Sequence, residues 1–290
     1  MKTSTEIDSI ANRTDWDRTL ELVAEAGFDC WDFSLFKMGS YDWKTGERVI
    51  TGHPLETRKM AIPFAEKMRK KADALGIKCN QSHAPFPVCC KEIKDLLPLA
   101  LECTAIAGGE ICVIHPDNNK TPEENAEMYL ELLPIAHKLG VKIATENMWN
   151  WNSTCDCAAP AACSDGPSFK KHIDIVNDPY LVACVDIGHA EMKGLDTGAE
   201  SMLRELGPRV KALHLHDNDK RRDLHRLPFS MDIDFVPVVR ALKDIGYDGV
   251  FTLESSLRAA MEDMHTEDPL TGVKAMYAAT RKLADMYEQL

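Results

Sequence analysis

The apolar positions of the chain switch repeatedly between two spacings. Over residues 15–27, Trp16, Leu20, Leu22, Val23 and Ala26 recur at the three-to-four spacing of an amphipathic helix, and Gly27 closes it. Residues 28–36 then run apolar over a strand's length. The succession of helix, glycine stop and short apolar strand returns down the chain. Helices are predicted over 56–76, 91–108, 122–140, 169–177, 200–206 and 234–246, and from Pro269 to the C-terminus. Strands are predicted over 77–81, 111–114, 141–145, 181–185, from Val210, and over 249–253. A weaker strand over 2–7 would make eight strands and eight helices. Such alternation implies parallel strands, and eight units in this length fit a closed (β/α)8 barrel, the TIM barrel, as a single domain over 1–290. The other candidate, an open doubly wound sheet, lacks a Gly-x-Gly-x-x-Gly after the first strand. Residues 150–167 show no clear period and are expected to form an irregular loop.

Composition narrows the picture only a little. No apolar run reaches the roughly eighteen residues of a membrane-spanning helix, and the N-terminus has no apolar signal region. A cytoplasmic protein with no membrane partner is expected, and its 10 cysteines are then expected as reduced thiols. Cys155, Cys157 and Cys163 could alternatively form a small metal knuckle, although the spacing is not Cys-x-x-Cys and no fourth ligand is obvious. The net charge of −12 argues against non-specific attraction to nucleic acid.

The chemistry lies where the strands end. The stretch from Lys211 carries His214, His216, Asp217, Asp219, Asp223 and His225, and a histidine within a strand needs a partner. One His-x-His would read as a satisfied pair on a polar loop. Here, however, six consecutive strands end in a side chain able to bind a metal. In chain order these are His83, His115, Glu146, Asp186 with His189, His214 with Asp223 and His225, and Glu254. A parallel barrel gathers all strand C-termini at one face. Imidazole nitrogen with carboxylate oxygen is a ligand mix of zinc and manganese sites.

The motifs Ser82-His83-Ala-Pro85, Ile114-His115-Pro116, Thr145-Glu146-Asn147, Val185-Asp186-Ile-Gly-His189, His214-Leu-His-Asp217, Asp223-Leu-His225 and Leu253-Glu254 together resemble the xylose isomerase-like TIM-barrel superfamily, over nearly the whole chain. That superfamily holds sugar isomerases and epimerases and the endonuclease IV branch. Resemblance to the sugar enzymes implies one divalent metal (Zn, Mn, Mg or Co) on Glu146, Asp186, His214 and Glu254. Resemblance to the endonuclease branch implies a three-zinc cluster that adds His83, His115, His189, Asp223 and His225. A one-step shift would make His216 the ligand in place of His214. His214 is preferred because His-Leu-His-Asp217 lines up with the family's His-x-x-Asp.

The two reactions make different demands. Isomerising a sugar removes a proton beside a carbonyl and returns it elsewhere, with Glu146 and Glu254 as the acid–base candidates. Cleaving a phosphodiester requires several metals, a basic groove and side chains that wedge into the duplex. Trp149 and Trp151 follow Glu146, and Tyr41 and Trp43 sit on another mouth loop, where aromatic faces suit sugar rings or bases. Phe86-Pro-Val-Cys-Cys does not look like the DNA-contacting stretch of the endonuclease branch. The sugar or sugar phosphate reading is therefore favoured, with a zinc-dependent nuclease acting on abasic DNA as the alternative and a catalytically dead barrel as a third. In the sugar reading His83, His115, His189, Trp149, Arg221, Arg222 and His225 contact substrate. The sequence leaves a homo-oligomer open.

Overall fold

The computed structural model describes all 290 residues. Eight parallel strands run through it: β1 (Thr3–Thr5), β2 (Cys30–Ser34), β3 (Lys78–His83), β4 (Ile111–Val113), β5 (Lys142–Glu146), β6 (Leu181–Asp186), β7 (Val210–His214) and β8 (Phe251–Leu253). Strands β2 to β7 hydrogen-bond in sequence order, and β1 pairs with β8. Parallel bridges Glu6↔Asp32 and Leu215↔Leu253 join the two sheets, so the ring closes. Leu215 N donates to Thr252 O at 2.9 Å, and Asp29 N donates to Thr3 O at 3.2 Å. The protein is a TIM barrel.

The outer helices follow the amphipathic segments: α1 (Trp16–Ala26), α2 (Arg58–Leu75), α3 (Leu97–Ala107), α4 (Pro122–Leu139), α5 (Gly166–Asp174), α6 (Ala199–Leu206), α7 (Phe235–Asp244) and α8 (Pro269–Glu288). Local chemistry sets their ends. Thr121 and Glu124 form a reciprocal capping box on α4, and Asp15, Asp165, Asp234 and Asp268 cap α1, α5, α7 and α8. Gly27 ends α1 at φ 109°, a conformation that a side chain would strain. The helix predicted over 91–108 is two helices, Lys91–Lys94 and α3, because Pro98 suits the first turn of a helix and not its interior.

Two layers of packing result. A cluster of 70 buried apolar residues fills the space between barrel and helices. A second, small cluster of Val113, Ala144, Val182, Cys184 and Ala212 lies apart from it. Side chains two apart on a strand share a face. The alternation Ala144–Glu146, Val182–Cys184–Asp186 and Ala212–His214 therefore carries the ionisable residues onto the face of this small cluster, at the C-terminal end of the strands. Asp186 and His214 are also direct partners across β6 and β7.

Candidate metal centre at the barrel mouth

A cavity of about 740 Å³ opens at this end. Its wall includes His83, His115, Glu146, Trp149, His189, Asp223, His225 and Glu254. Asp186 and His214 are fully buried beneath it. Ligand atoms of Glu146, Asp186, His214 and Glu254 all lie within 4.8 Å of one another. His214 Nδ1 stands 3.2 Å from Glu146 Oε1 and 3.3 Å from Glu254 Oε2. Four further groups are as close: His83 with His115 and Glu146; His83 with His214 and Glu254; Glu146 with Cys184 and His214; and His189 with His216, Asp223 and His225. His214 thus falls with the first set and His216 with the last. His216 Nε2 is 3.1 Å from Asp186 Oδ1 and 3.5 Å from Asp223 Oδ1. The ring of His216 lies against Gly188, where an added Cβ would come within 1.9 Å of it, so the site needs glycine there.

The donor chemistry fits a cation. His83, His189 and His225 each donate Nδ1–H to a backbone carbonyl, of Ala84 at 3.0 Å, Asn147 at 2.9 Å and Glu254 at 2.6 Å. That fixes Nδ1–H in each ring and turns Nε2 to the cavity; Nε2 of His189 and of His225 faces Asp223 Oδ2 at 3.3 and 3.1 Å, and can ligate a metal once its proton is lost. Nε2 of His83 then faces Nε2 of His115 at 3.0 Å. Glu146 Oε2, Asp186 Oδ2 and Asp223 Oδ1 are buried with no hydrogen-bond partner. Buried polar atoms left unpaired are costly, and their convergence marks a site built for a ligand. His225 also holds φ at 46°, a strained value for a side-chain-bearing residue and one often found at functional sites.

Electrostatics within the cluster are strong. Burial works to raise the Glu146 carboxyl, but His214 and His115 hold it well below the usual range. Burial raises Glu254, against the pull of His214 and His225. Burial alone would lower His189, yet Asp186 and Asp223 push it up to about 10. Burial takes His115 down to about 4. Cys184 lies beside Glu146 and His214, but burial pushes its thiol well up, so it stays neutral.

Two residues were not singled out for the site from the sequence, Asp32 and, although it stands in the Thr145-Glu146-Asn147 motif, Asn147. Asp32, in the middle of β2, is 3.7 Å from His214 Nε2 and accepts from Gln81 Nε2 at 2.8 Å. A carboxylate behind a histidine fixes ring orientation and raises ligand basicity. Asp32→Asn is therefore expected to weaken divalent-metal affinity by roughly 10–100-fold, measured by competition with a chelating dye, with the ligand set unchanged. Asn147 brackets Asp186: its Nδ2 donates to Asp186 O at 2.9 Å, and its Oδ1 accepts from Asp186 N at 2.8 Å.

Three expectations need correction. Arg221 and Arg222 are absent from the cavity wall; they are more than half exposed, and their guanidiniums face Asp156 at 3.8 and 3.6 Å. Asp219 Oδ1 accepts both their backbone N–H groups and turns the loop outward. The stretch 150–167 is not irregular throughout: Trp149–Asn152 pairs antiparallel with Cys157–Pro160. The alternation Trp149-Asn-Trp151-Asn was the available signal, and Trp149 and Trp151 both line the cavity. No knuckle joins the cysteines, because Cys155 is exposed whereas Cys163 is buried beside Thr145. Trp43 lines the cavity while 70% exposed, and Tyr41 packs against it edge-on.

A closed parallel barrel with histidines and carboxylates gathered at its C-terminal mouth defines the class. The family model for the xylose isomerase-like TIM barrel matches residues 20–279, and the chain belongs to that family. It is 31% identical over 263 residues to uncharacterized protein MJ1311 of Methanocaldococcus jannaschii, covering 82% of this chain and 78% of that one. Among solved structures it is similar to a D-tagatose 3-epimerase-like protein, with TM-score 0.72, 21% identity and coverage of 100% and 99% of the two chains. It is also similar to the IolI protein with a bound zinc atom, with TM-score 0.69, 17% identity and coverage of 99% of each chain.

Proposed function

We propose that the protein is a divalent-metal-dependent sugar isomerase or epimerase that transfers a proton at a carbon next to the carbonyl. The observation that carries this reading is the convergence of Glu146, Asp186, His214 and Glu254, with unpartnered buried atoms, beside a cavity large enough to admit a sugar. Family membership and the fold shared with an epimerase-like protein support it. The fold shared with the zinc-bound IolI protein supports a divalent ion.

These four residues would hold the metal, which when bound supplies polarisation of the substrate carbonyl and so acidifies the adjacent C–H. Glu254 and Glu146 remove and return the proton. Their environments push the two carboxyls in opposite directions, a pattern that separates acid from base. His83, His115, His189 and His225 offer Nε2 to substrate hydroxyls, and Trp149 offers an apolar face. The test is incubation with ketoses and aldoses in heavy water. Deuterium is expected at the carbon beside the carbonyl, and the reading falls if no sugar shows either turnover or exchange.

One observation favours a second reading. The group of His83, His115 and Glu146 and the group of His189, His216, Asp223 and His225 would allow a three-metal phosphodiesterase acting on abasic DNA. One metal per chain on elemental analysis supports the isomerase. Three zincs with zinc-dependent nicking of abasic DNA support the hydrolase.

A further inference from the structure

The cavity is larger than the reacting centre at its floor requires. Its volume of about 740 Å³ lies in the range that encloses ligands of drug size, well above what one sugar ring fills. Beside Glu254 it is walled: Glu6 and Asp8, both buried, border it there, and Glu6 N donates to Leu253 O at 2.9 Å. Toward the rim the wall turns aromatic.

The hairpin of Trp149–Asn152 with Cys157–Pro160 carries part of that rim. Residues two apart on a strand share a face, so Trp149 and Trp151 lie on the same side of it. Their ring centroids are 6.2 Å apart, and that of Trp149 is 6.3 Å from His189. Trp149 is partly buried whereas Trp151 is 41% exposed, so the pair steps outward from the histidine cluster. Trp43, more exposed still, borders the same cavity from the loop after β2, three strands round the barrel from β5. Indole surface left in water on two sides of one opening marks a place for a ligand.

The amides beside Trp151 decide which ligand. Asn118 Nδ2 donates to Trp149 O at 3.0 Å and to Asn150 Oδ1 at 3.3 Å, and Asn150 Nδ2 donates to Asn119 Oδ1 at 3.2 Å. Asn118 and Asn119 both line the cavity, and this chain of amides leaves Asn118 Oδ1 as a free acceptor and Asn119 Nδ2 as a free donor. A pyranose ring has an apolar C–H face for an indole and an edge of hydroxyls that both donate and accept. A purely apolar group would cover the same amides without bonding them.

Resting on the sugar reading above, we propose that Trp151, with the amides of Asn118 and Asn119, forms a subsite for a second sugar ring, so that the substrate is a disaccharide whose reducing unit reacts at Glu146 and Glu254.

The test uses the metal-loaded protein, with turnover and deuterium exchange as readouts. D-fructose is compared with maltulose, lactulose, leucrose and isomaltulose, which end in fructose, and D-glucose with maltose, cellobiose and isomaltose, which end in glucose. The best disaccharide should exceed the monosaccharide of its own reducing unit in kcat/KM by about 10-fold or more. Trp151→Ala should cut that preference by about 10-fold, through the KM of the disaccharide, with metal content at the parent's level. Trp151→Phe, which keeps an aromatic face, should hold the preference within about 3-fold of the parent's. A purely structural Trp151 would shift both substrates alike and leave the preference unmoved. A preferred monosaccharide, or an unmoved preference in Trp151→Ala, overturns the proposal and leaves the isomerase reading intact. If the parent neither turns over nor exchanges any monosaccharide or disaccharide, the isomerase reading fails and takes this proposal with it. The comparison of disaccharide with monosaccharide needs no variant, so it stands even if Trp151→Ala does not fold.

Discussion

Asp186→Ala is expected to abolish metal binding and activity together while leaving the barrel folded. Asp186 is the last residue of β6 and is fully buried, with Oδ2 unpartnered and Oδ1 accepting from His189 N at 2.6 Å. Removing it takes away one of four proposed ligands and one negative charge. The loss should exceed the roughly 10–100-fold fall in affinity typical of losing an outer partner. Activity should fall by about 1,000-fold or more, since several kcal/mol of charge stabilisation go with the metal. The core is untouched, but stability falls: the cap on the short helix Ile187–Ala190 is worth about 1 kcal/mol, and the attraction of Asp186 for His189 and His216, which outweighs its repulsion with Glu146, is lost with it. Elemental analysis and thermal unfolding of the same preparation check both halves. Parental metal content in this variant would mean that the ligands lie elsewhere.

Glu254→Gln is expected to lower deuterium exchange by about 100-fold or more while most of the metal remains. The amide keeps an oxygen for the metal but cannot take a proton. A carboxylate is a weak base in water. Burial at the mouth raises the Glu254 carboxyl above its ordinary value, against His214 and His225, and so makes it a stronger base. Exchange measured at matched metal occupancy separates this from metal loss. Parental exchange in this variant would move the base to Glu146 or a histidine.

A third expectation concerns stability, in protein kept metal-free by a chelator. Burial raises Glu6 from 4.5 to about 7. The folded-state value is the higher one, so folding favours the protonated carboxyl. The ionisation penalty is absent below about pH 4.5, grows as pH rises, and is complete above about pH 7. Its size is about 3 kcal/mol. Glu6→Gln should therefore gain stability over the parent at pH 8 and little at pH 5. Denaturant midpoints at the two pH values measure the difference, and equal gains at both would mean that Glu6 is not held neutral.

Much of this site was legible because its markers are local. Helical period, glycine stops and strand length place His83, Glu146, Asp186 and His214 at strand ends, and barrel geometry brings strand ends together. Other members were invisible. Glu6 and Asp8 sit at the exit of the weakest strand pattern. Asp32 lies within an apolar run, where one carboxylate carries no spacing signal. Arg221 and Arg222 were expected to contact substrate, yet a turn made by Asp219 sends them outward.

The sequence alone determined the order of elements, the barrel and the set of side chains at its mouth, since these follow from short-range periodicity and capping. Only the tertiary structure separated His214 from His216. Both lie within one short stretch, and on an extended strand they would share a face. The chain leaves β7 at His214, and the open space above Gly188 admits the ring of His216 beside Asp223 instead of Glu254. Only the tertiary structure, too, left oxygens of Glu6 and Asp8 without partners, because an unmet hydrogen bond depends on every neighbour that closes around it.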